Sequence, residues 1–447
     1  MPRQLSFEYV LTSAGLEHGR RLGLDTEGRI VSIDAISAAR WDGALAIPGM
    51  PNAHSHAFQR ALAGVRETPA ADSFWSWREA MYRIANALDP DDLYVVALRA
   101  YADMLRAGFT SVGEFHYLHH ARDGHPTVEM ALAIRAAARD AGIRLTLLPV
   151  LYSQGGFNRP PTAAQRRFIH ASLDDFGRLL EKLAGEPCGV APHSLRAVPL
   201  EMLPRLVSLA DDILGRNCPI HIHVSEQPQE VSDCRDLHGR PPIECLAQSV
   251  DLDGRWSLVH ATHAEPQELD ILIRHRPNLV LCPLTEAYLG DGVFPLEPYA
   301  TRGGTFAIGS DSNVRIDAIE ELRLAEYGQR LVHQRRGVLA RADGLGMRLW
   351  SEAADSGARS LNQTVGALRI GALADLVVLN LDDPLFAGVA AGEALDAWII
   401  GGSAAQIAAV YVGGERRVDH GEIALPAAAN RFAAVMHSLH SQSSPGA

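Results

Sequence analysis

Strand-like runs occupy both ends of the chain, and apolar runs alternating with amphipathic stretches fill the middle. As far as about Leu45 the pattern reads as strands, LSFEYVLT and then GRIVSID after a glycine turn. The end reads the same way, with ADLVVLNL, LDAWIIGG and AAVYVGGERRV separated by Gly and Asp-Pro turns. Short apolar alternation bounded by turn residues predicts β-strands. Two all-β pieces at opposite ends of one chain are expected to join in one small sandwich.

Between them, TSVGEFHYL follows the helical DLYVVALRAYADMLRAGF, and IRLTLLPVLY follows TVEMALAIRAAARDAG. CGVAPHSL precedes the helical VPLEMLPRLVSLADDIL, after which come PIHIHVSE, RWSLVHATH, LVLCPLT and TFAIGSDS. Strand and helix in alternation predict βα units around a parallel sheet. About seven or eight such units are what a (β/α)8 TIM barrel needs. A doubly wound open sheet competes, but no glycine-rich fingerprint follows the first strand. The expected α/β organisation is therefore a barrel over residues 48–363, with 1–47 and 364–447 forming the β-sandwich.

Composition narrows the partners. The 447 residues are 47% hydrophobic and 21% charged, an ordinary globular balance with a core large enough to need no disulfides. With 41 basic and 53 acidic side chains the net charge is −12, which argues against nucleic acid or an anionic membrane surface. The five cysteines (Cys188, Cys218, Cys234, Cys245 and Cys282) form no CxxC pair, the usage of a reducing compartment. The start, MPRQLSFEYVL, lacks the apolar core of a secretion signal, and no apolar run approaches the ~18 residues of a membrane span. A soluble, cytoplasmic protein is expected, with the tail HSQSSPGA frayed.

In a parallel barrel the reactive side chains stand at the C-terminal ends of strands, and polar residues gather there. ALAIPGM, read as the first barrel strand, ends in PNAHSH with His54 and His56. IHIHVSE carries His221, His223 and Glu226, WSLVHATH carries His260 and His263, and TFAIGSDS ends at Asp311. His54 and His56, two residues apart, face one side of a strand and can share one metal. An isolated HxH also fits solvated loop histidines, and Asp311 alone fits a turn. His221 reads as a core histidine. Four such strand ends together point to a metal site, and imidazole and carboxylate donors without thiolate suit Zn2+, with Fe2+ or Mn2+ as alternatives. Cys282 and Cys188 read as small buried hydrophobes, and FWSWREAMYRI as an aromatic helix face from which Arg78 could reach a pocket.

PGMPNAHSH, HIHVSE, LVHATH and IGSDS, taken in order, resemble the motifs of the amidohydrolase superfamily, and GALRIGALADLVVLNLDDP with VYVGGE resembles the small β-sandwich of its cytosine- and guanine-deaminase-like branch. Within that branch, PNAHSHAFQRALAG, GEFHYLHH, APHSLRAV, HIHVSEQ and CPLTEAYLGDGVFP are most similar to the N-formimino-L-glutamate deiminases of histidine degradation. The resemblance implies one Zn2+ held by His54, His56, His223 and Asp311, with Glu226, His260 and Asp311 as the acid/base and polarising groups. It also implies a substrate pocket lined by Gln59, Arg78, Tyr117, His193 and Arg196, and a homodimer. The implied reaction is hydrolysis of a small anionic formimino amino acid to N-formyl-L-glutamate and ammonia. Tyr288 in EAYLGDG stands where a smaller polar residue is expected.

The single lysine bears on this independently. Two-metal members of that superfamily bridge their ions with a carboxylated lysine, whereas Lys182 lies in the helical run FGRLLEKLAGE. A mononuclear centre remains. Arginine must then choose the substrate, because a guanidinium takes a carboxylate bidentately. Arg196 is the better placed candidate, and its loss is expected to raise KM far more than it perturbs melting. The rival readings are an aminohydrolase of a purine, pyrimidine or triazine ring, with an apolar pocket poor in arginine, and a non-catalytic barrel, which predicts a broken ligand set.

Overall fold

The structure is a computed structural model that describes residues 3–38, 40–65, 74–342 and 344–441. Most of the expected tail, from residue 442, lies outside the described residues. Four strands open the chain: β1 (Arg3–Thr12), β2 (Gly15–Leu24), β3 (Ile30–Ala35) and β4 (Gly43–Pro48). Eight follow in the middle: β5 (Met50–Ser55), β6 (Phe109–His116), β7 (Arg144–Leu151), β8 (Ala191–Pro192), β9 (Ile220–Val224), β10 (Trp256–His260), β11 (Asn278–Leu281) and β12 (Phe306–Ile308). Three close it: β13 (Leu376–Leu379), β14 (Ile407–Val412) and β15 (Glu415–Asp419).

The middle strands pair in parallel as β5-β6-β7-β8 and β9-β10-β11-β12. Backbone bonds close the two halves into a ring. His221 N donates to Val190 O (3.0 Å) and His223 N to His193 O (3.1 Å), joining β8 to β9. On the opposite seam His56 N donates to Asp311 O (2.9 Å) and Asp311 N to His54 O (3.0 Å), joining β5 to the end of β12. An unbroken ring of parallel strands with helices between them is a TIM-type barrel, and the open-sheet alternative is excluded.

The terminal strands form one continuous seven-stranded sheet, β15-β14-β13-β4-β1-β2-β3, rather than two stacked sheets. It curls around its own core, which includes Phe7, Val10, Leu22, Ile30, Leu376 and Tyr411 from both ends of the chain. Three expectations need correction. ALAIP belongs to β4 of this sheet, and the barrel strand begins at Met50, beyond Gly49, where a Cβ would come within 2.4 Å of the Thr110 side chain. LDAWIIGG is a helix, Ala394–Gly401, whose Trp398 packs on Trp350 with ring centres 5.0 Å apart; burial, not strand pairing, explains its apolar run. Two facing sheets are replaced by one curled sheet.

Two elements show why the barrel forms where it does. The helix Pro90–Arg106 starts at Asp89, whose side chain accepts from Asp92 N, with Pro90 in its first turn and Asp91 and Asp92 facing the positive helix end. Its other face buries Leu93, Val96, Tyr101 and Met104. The terminal sheet is fastened to the barrel by Asp375, fully buried, which takes Arg144 through two hydrogen bonds of 2.9 and 3.2 Å. Trp350 adds an indole bond to Pro48 O (2.8 Å).

Candidate metal centre and active-site cavity

Strand ends on both sides of the barrel seams bring four buried donors together. The Nε2 atoms of His54 and His56 are 3.2 Å apart, and His223 Nε2 lies 3.0 Å from His54 Nε2. Asp311 Oδ1 stands 3.3 Å from His56 Nε2 and 3.5 Å from His54 Nε2. The next hydrogen bonds outward decide what these atoms are. His56 Nδ1 bonds Phe115 O (2.9 Å) and His223 Nδ1 bonds His193 O (3.0 Å). A carbonyl only accepts, so both Nδ1 atoms carry the hydrogen and both Nε2 atoms face the cluster as lone pairs.

Protonation does not relieve this convergence. Burial, reinforced by the neighbouring His54, pushes His56 down to about 3, and burial likewise holds His54 and His223 well below the usual histidine range. Neutral lone pairs and a carboxylate aimed at one point make a cation site. Four donors about 2.0–2.1 Å from an ion at a tetrahedral centre would stand about 3.3–3.4 Å apart, and the closest pairs here fall around that value. The donor set fits a divalent cation.

His260 and Glu226 stand beside the cluster. His260 Nδ1 bonds Glu286 Oε1 (3.3 Å), while its Nε2 lies 3.8 Å from Asp311 Oδ2 and 3.9 Å from Glu226 Oε1. Burial opposes a charge on His260, but the Glu286 bond and the charges of Glu226 and Asp311 outweigh it and lift His260 to about 10. His260 and Asp311 both adopt left-handed backbone, with φ of 70° and 45°. Such conformations cost on the order of 1–3 kcal/mol each and persist where the surroundings impose them.

Glu226 Oε2 accepts from Arg196 Nη2 at 2.8 Å, and Arg196 Nε lies 3.9 Å from Glu230 Oε2. Burial works against the arginine's charge, yet Glu230 and Glu226 raise its pKa well above the ordinary value. Glu230 in turn accepts from Glu226 N (3.1 Å). The guanidinium that sequence assigned to substrate thus already joins two buried carboxylates.

Gln59, Arg78, Tyr117, His193 and Arg196 border one cavity together with His56, His223, Glu226, His260 and Asp311. Gln59 Nε2 donates to Tyr117 OH (2.9 Å), leaving Gln59 Oε1 without a hydrogen-bond partner. Arg78 stands 5.7 Å from the centre of the Tyr82 ring. His221, fully buried, bonds Ser360 O (2.8 Å) outside the cluster, and His263 lies outside it as well. Cys282 is buried in the small barrel core with Ala53, Val259, Val280 and Ala307, its sulfur near the His260 and Asp311 donors. Burial raises its thiol well above the usual range. Cys188 is only partly buried, Lys182 is exposed on the helix Leu173–Leu183, and Tyr288 lies on Pro283–Leu289, whose last residue, Leu289, borders the cavity.

Sequence reasoning missed part of the wall. Trp77, Tyr82, Tyr152, Arg159, Phe168 and Asp233 also line the cavity, as tertiary folding brings the helix Phe74–Ala87 and the long loop after β7 across the mouth. Tyr152, the residue immediately after β7, carries the strand-end signal. Trp77 and Tyr82 lie on the helix, Arg159 and Phe168 lie far along the loop, and Asp233 lies within the helix Pro228–His238, all away from any strand end. Glu286 carries such a signal, a carboxylate five residues past β11 in LTEAYL.

Comparison with known proteins places these observations in a lineage. The sequence model of the amidohydrolase family matches residues 45–417. A formimidoylglutamate deiminase of Pseudomonas aeruginosa is 43% identical over 91% of this chain and 92% of its own length. A 5-methylthioadenosine/S-adenosylhomocysteine deaminase of Natronomonas pharaonis is 26% identical over 77% of this chain and 74% of its own. Among solved structures, an amidohydrolase from Brucella melitensis superimposes with a TM-score of 0.90 at 41% identity, covering 98% of this chain and 100% of that one. A zinc-bound adenosine deaminase from Xanthomonas campestris shares the fold, with a TM-score of 0.80 at 21% identity over 98% of each chain.

Proposed function

The chain belongs to the amidohydrolase family, and from that premise we propose that it hydrolyses N-formimino-L-glutamate to N-formyl-L-glutamate and ammonia, a step of histidine degradation. The observation that carries this reading is the 43% identity to a formimidoylglutamate deiminase, sustained over nine-tenths of both chains. The cavity supports it chemically. A substrate with two carboxylates needs guanidinium partners, and Arg78, Arg159 and Arg196 all border the cavity that holds the donor cluster.

In this proposal His54, His56, His223 and Asp311 hold one divalent cation. Their imidazole and carboxylate donors favour zinc, with Fe2+ or Mn2+ the alternatives. Such a cation supplies Lewis acidity and brings the pKa of a coordinated water from 15.7 to about 7. Asp311 accepts the proton of the attacking water at Oδ2, the oxygen nearer His260. His260, held through Nδ1 by Glu286, presents Nε2 to the water oxygen and steadies its charge. Glu226, steadied at Oε2 by Arg196, carries a proton to the departing nitrogen. The formimino carbon gains a C–O bond, loses its terminal C–N bond and becomes a formyl group. Gln59, Arg78, Tyr117 and His193 line the path of the glutamate skeleton, with Arg196 opposite the carboxylate nearest the reacting carbon.

The same reading divides the chain into a barrel at 48–363 and a small β-domain built from 1–47 and 364–447. Family likeness alone supports a homodimer in the cytoplasm, and among the described residues no helix is long and apolar enough to cross a membrane. A second reading, removal of an amine from a purine, draws on the aromatic wall of Trp77, Tyr82, Tyr152 and Phe168. Ammonia release measured side by side from N-formimino-L-glutamate, adenosine and guanine separates the two. The proposal expects the formimino substrate to dominate, with N-formyl-L-glutamate as co-product; formamide and glutamate as products, or preference for a purine, would overturn it.

A further inference from the structure

The loop after β7 makes a tight turn at the mouth of the cavity. Gly155 N donates to Arg159 O (2.8 Å), Arg159 N donates to Gly156 O (3.0 Å), and Asn158 adopts the left-handed conformation with φ 50°. A side chain at Gly155 would set its Cβ 2.4 Å from Pro160 O, so only glycine lets this turn close. Phe157 meets the His238 ring at 6.2 Å, which rests the turn against the helix Pro228–His238. A Cβ at Gly156 would touch Cδ of Arg159 at 3.5 Å, so the arginine's stem runs along the bare glycine.

The turn therefore presents Arg159 at the cavity rim, exposed to solvent. Its guanidinium makes no ion pair or side-chain hydrogen bond among the described residues. Arg196, by contrast, is joined to Glu226 and lies close to Glu230. Asp233 borders the same cavity, but its carboxylate takes the Gln229 amide at 2.6 Å. An unpartnered cation at the mouth of an anion-accepting cavity, in a chain of net charge −12, supplies the attraction that the global field denies.

We propose that Arg159 is a specificity-determining residue that takes the side-chain carboxylate of the substrate, the one farthest from the reacting formimino carbon. This rests on the deiminase reading above. Arg196 lies near the reacting groups and Arg159 at the opening, so the two match the two ends of a glutamate skeleton.

The test compares wild type, R159M and R159K on N-formimino-L-glutamate and on N-formiminoglycine, which lacks the distal carboxylate. A charge-assisted hydrogen bond is lost only for the longer substrate. R159M is expected to lower kcat/KM for N-formimino-L-glutamate by about 10–100-fold, nearly all of it in KM. For N-formiminoglycine the same substitution should change kcat/KM by less than about threefold. R159K should recover part of the loss, because an ammonium cannot grip a carboxylate bidentately. An unchanged KM for the longer substrate, or equal losses on both, overturns the assignment. A wild-type enzyme that releases no ammonia from N-formimino-L-glutamate defeats the deiminase reading itself, and this inference with it.

Discussion

Replacing Arg196 with Met probes how the cavity shares its charges. Sequence reasoning expects KM to rise far more than melting is perturbed, but the structure places the guanidinium 2.8 Å from Glu226 and 3.9 Å from Glu230, with both carboxylates buried. Removing one partner of a buried ion pair costs about 3–5 kcal/mol, because the other charge stays behind. That figure is an upper bound here. Burial already raises Glu230, Glu226 raises it further, and Arg196 is the charge that pulls it down. Once Arg196 is gone, Glu230 can take up a proton instead of staying charged. The expected destabilisation is therefore about 2–4 kcal/mol at pH 8 and smaller at pH 5.5, where protons are available to relieve the repulsion. On the kinetic side, a lost charged hydrogen bond worth about 1.5–3 kcal/mol raises KM roughly 10–150-fold. Because Glu226 also loses the group that holds Oε2, kcat should fall as well. Thermal melts at both pH values, combined with steady-state ammonia assays, measure all three effects. A rise in KM with kcat and melting unchanged at either pH would mean that Glu226 does not hold this guanidinium.

E226Q keeps the size of the side chain and its Arg196 contact while removing the proton carrier. Cation content by elemental analysis should stay at the wild-type level while turnover falls by about 10²–10⁴; loss of the cation or near-normal turnover would contradict the role. Glu114 accepts from Ala57 N, Ser55 OH and Tyr101 OH, yet burial prevails over those bonds and lifts it to about 8. An unfolded glutamate titrates near about 4.3, so between these values the folded state binds more protons and wild-type stability falls as pH rises. E114Q, which mimics the protonated acid, should gain on wild type in urea midpoints from pH 5 to pH 8.5, and a constant difference would show Glu114 charged throughout.

The histidine pairs and Asp311 were legible because a parallel barrel exposes strand ends at one rim, so a pattern local in sequence becomes a position in space. Alternation puts His221 and His223 on the same face of β9, and it is depth along the strand that separates them, His221 bonding Ser360 O away from the cluster. Tyr152 follows β7 directly and was legible by the same strand-end rule. Arg159, Trp77, Tyr82 and Phe168 were not, since they lie on a helix and far along a loop whose placement over the mouth depends on tertiary packing. The helix at Ala394–Gly401 was misread for a related reason. A run apolar on every side carries no period, and only its contact with Trp350 and the neighbouring helix settles its form. The double engagement of Arg196 was hidden as well, because Glu230 lies a helical turn beyond Glu226 and reads as an ordinary surface acid.

Fold and site meet most closely at the seam between β5 and β12. Asn52 donates to Ser310 Oγ (2.6 Å) and accepts from Ser310 N (3.0 Å), while Asn313 Nδ2 donates to Ser55 Oγ (3.0 Å) and to Asp311 O (3.0 Å). This network sets the distance between the strand bearing His54 and the turn bearing Asp311, and Gly309 allows that distance to be short. A Cβ at position 309 would lie 2.8 Å from both Cβ and O of His54 and 3.0 Å from its N. Backbone cannot swing aside as a flexible side chain can, so G309A must part the strands by several tenths of an ångström. The donors of the cluster are already 3.0–3.5 Å apart, and such a shift alters bond lengths that tolerate only about 0.2 Å. G309A is therefore expected to fold with a wild-type circular dichroism spectrum yet hold its cation at least about tenfold more weakly in chelator competition. G254A, where a Cβ meets nothing within 4 Å, should compete like wild type. Equal chelator resistance in G309A and wild type would show that the seam does not set the donor geometry.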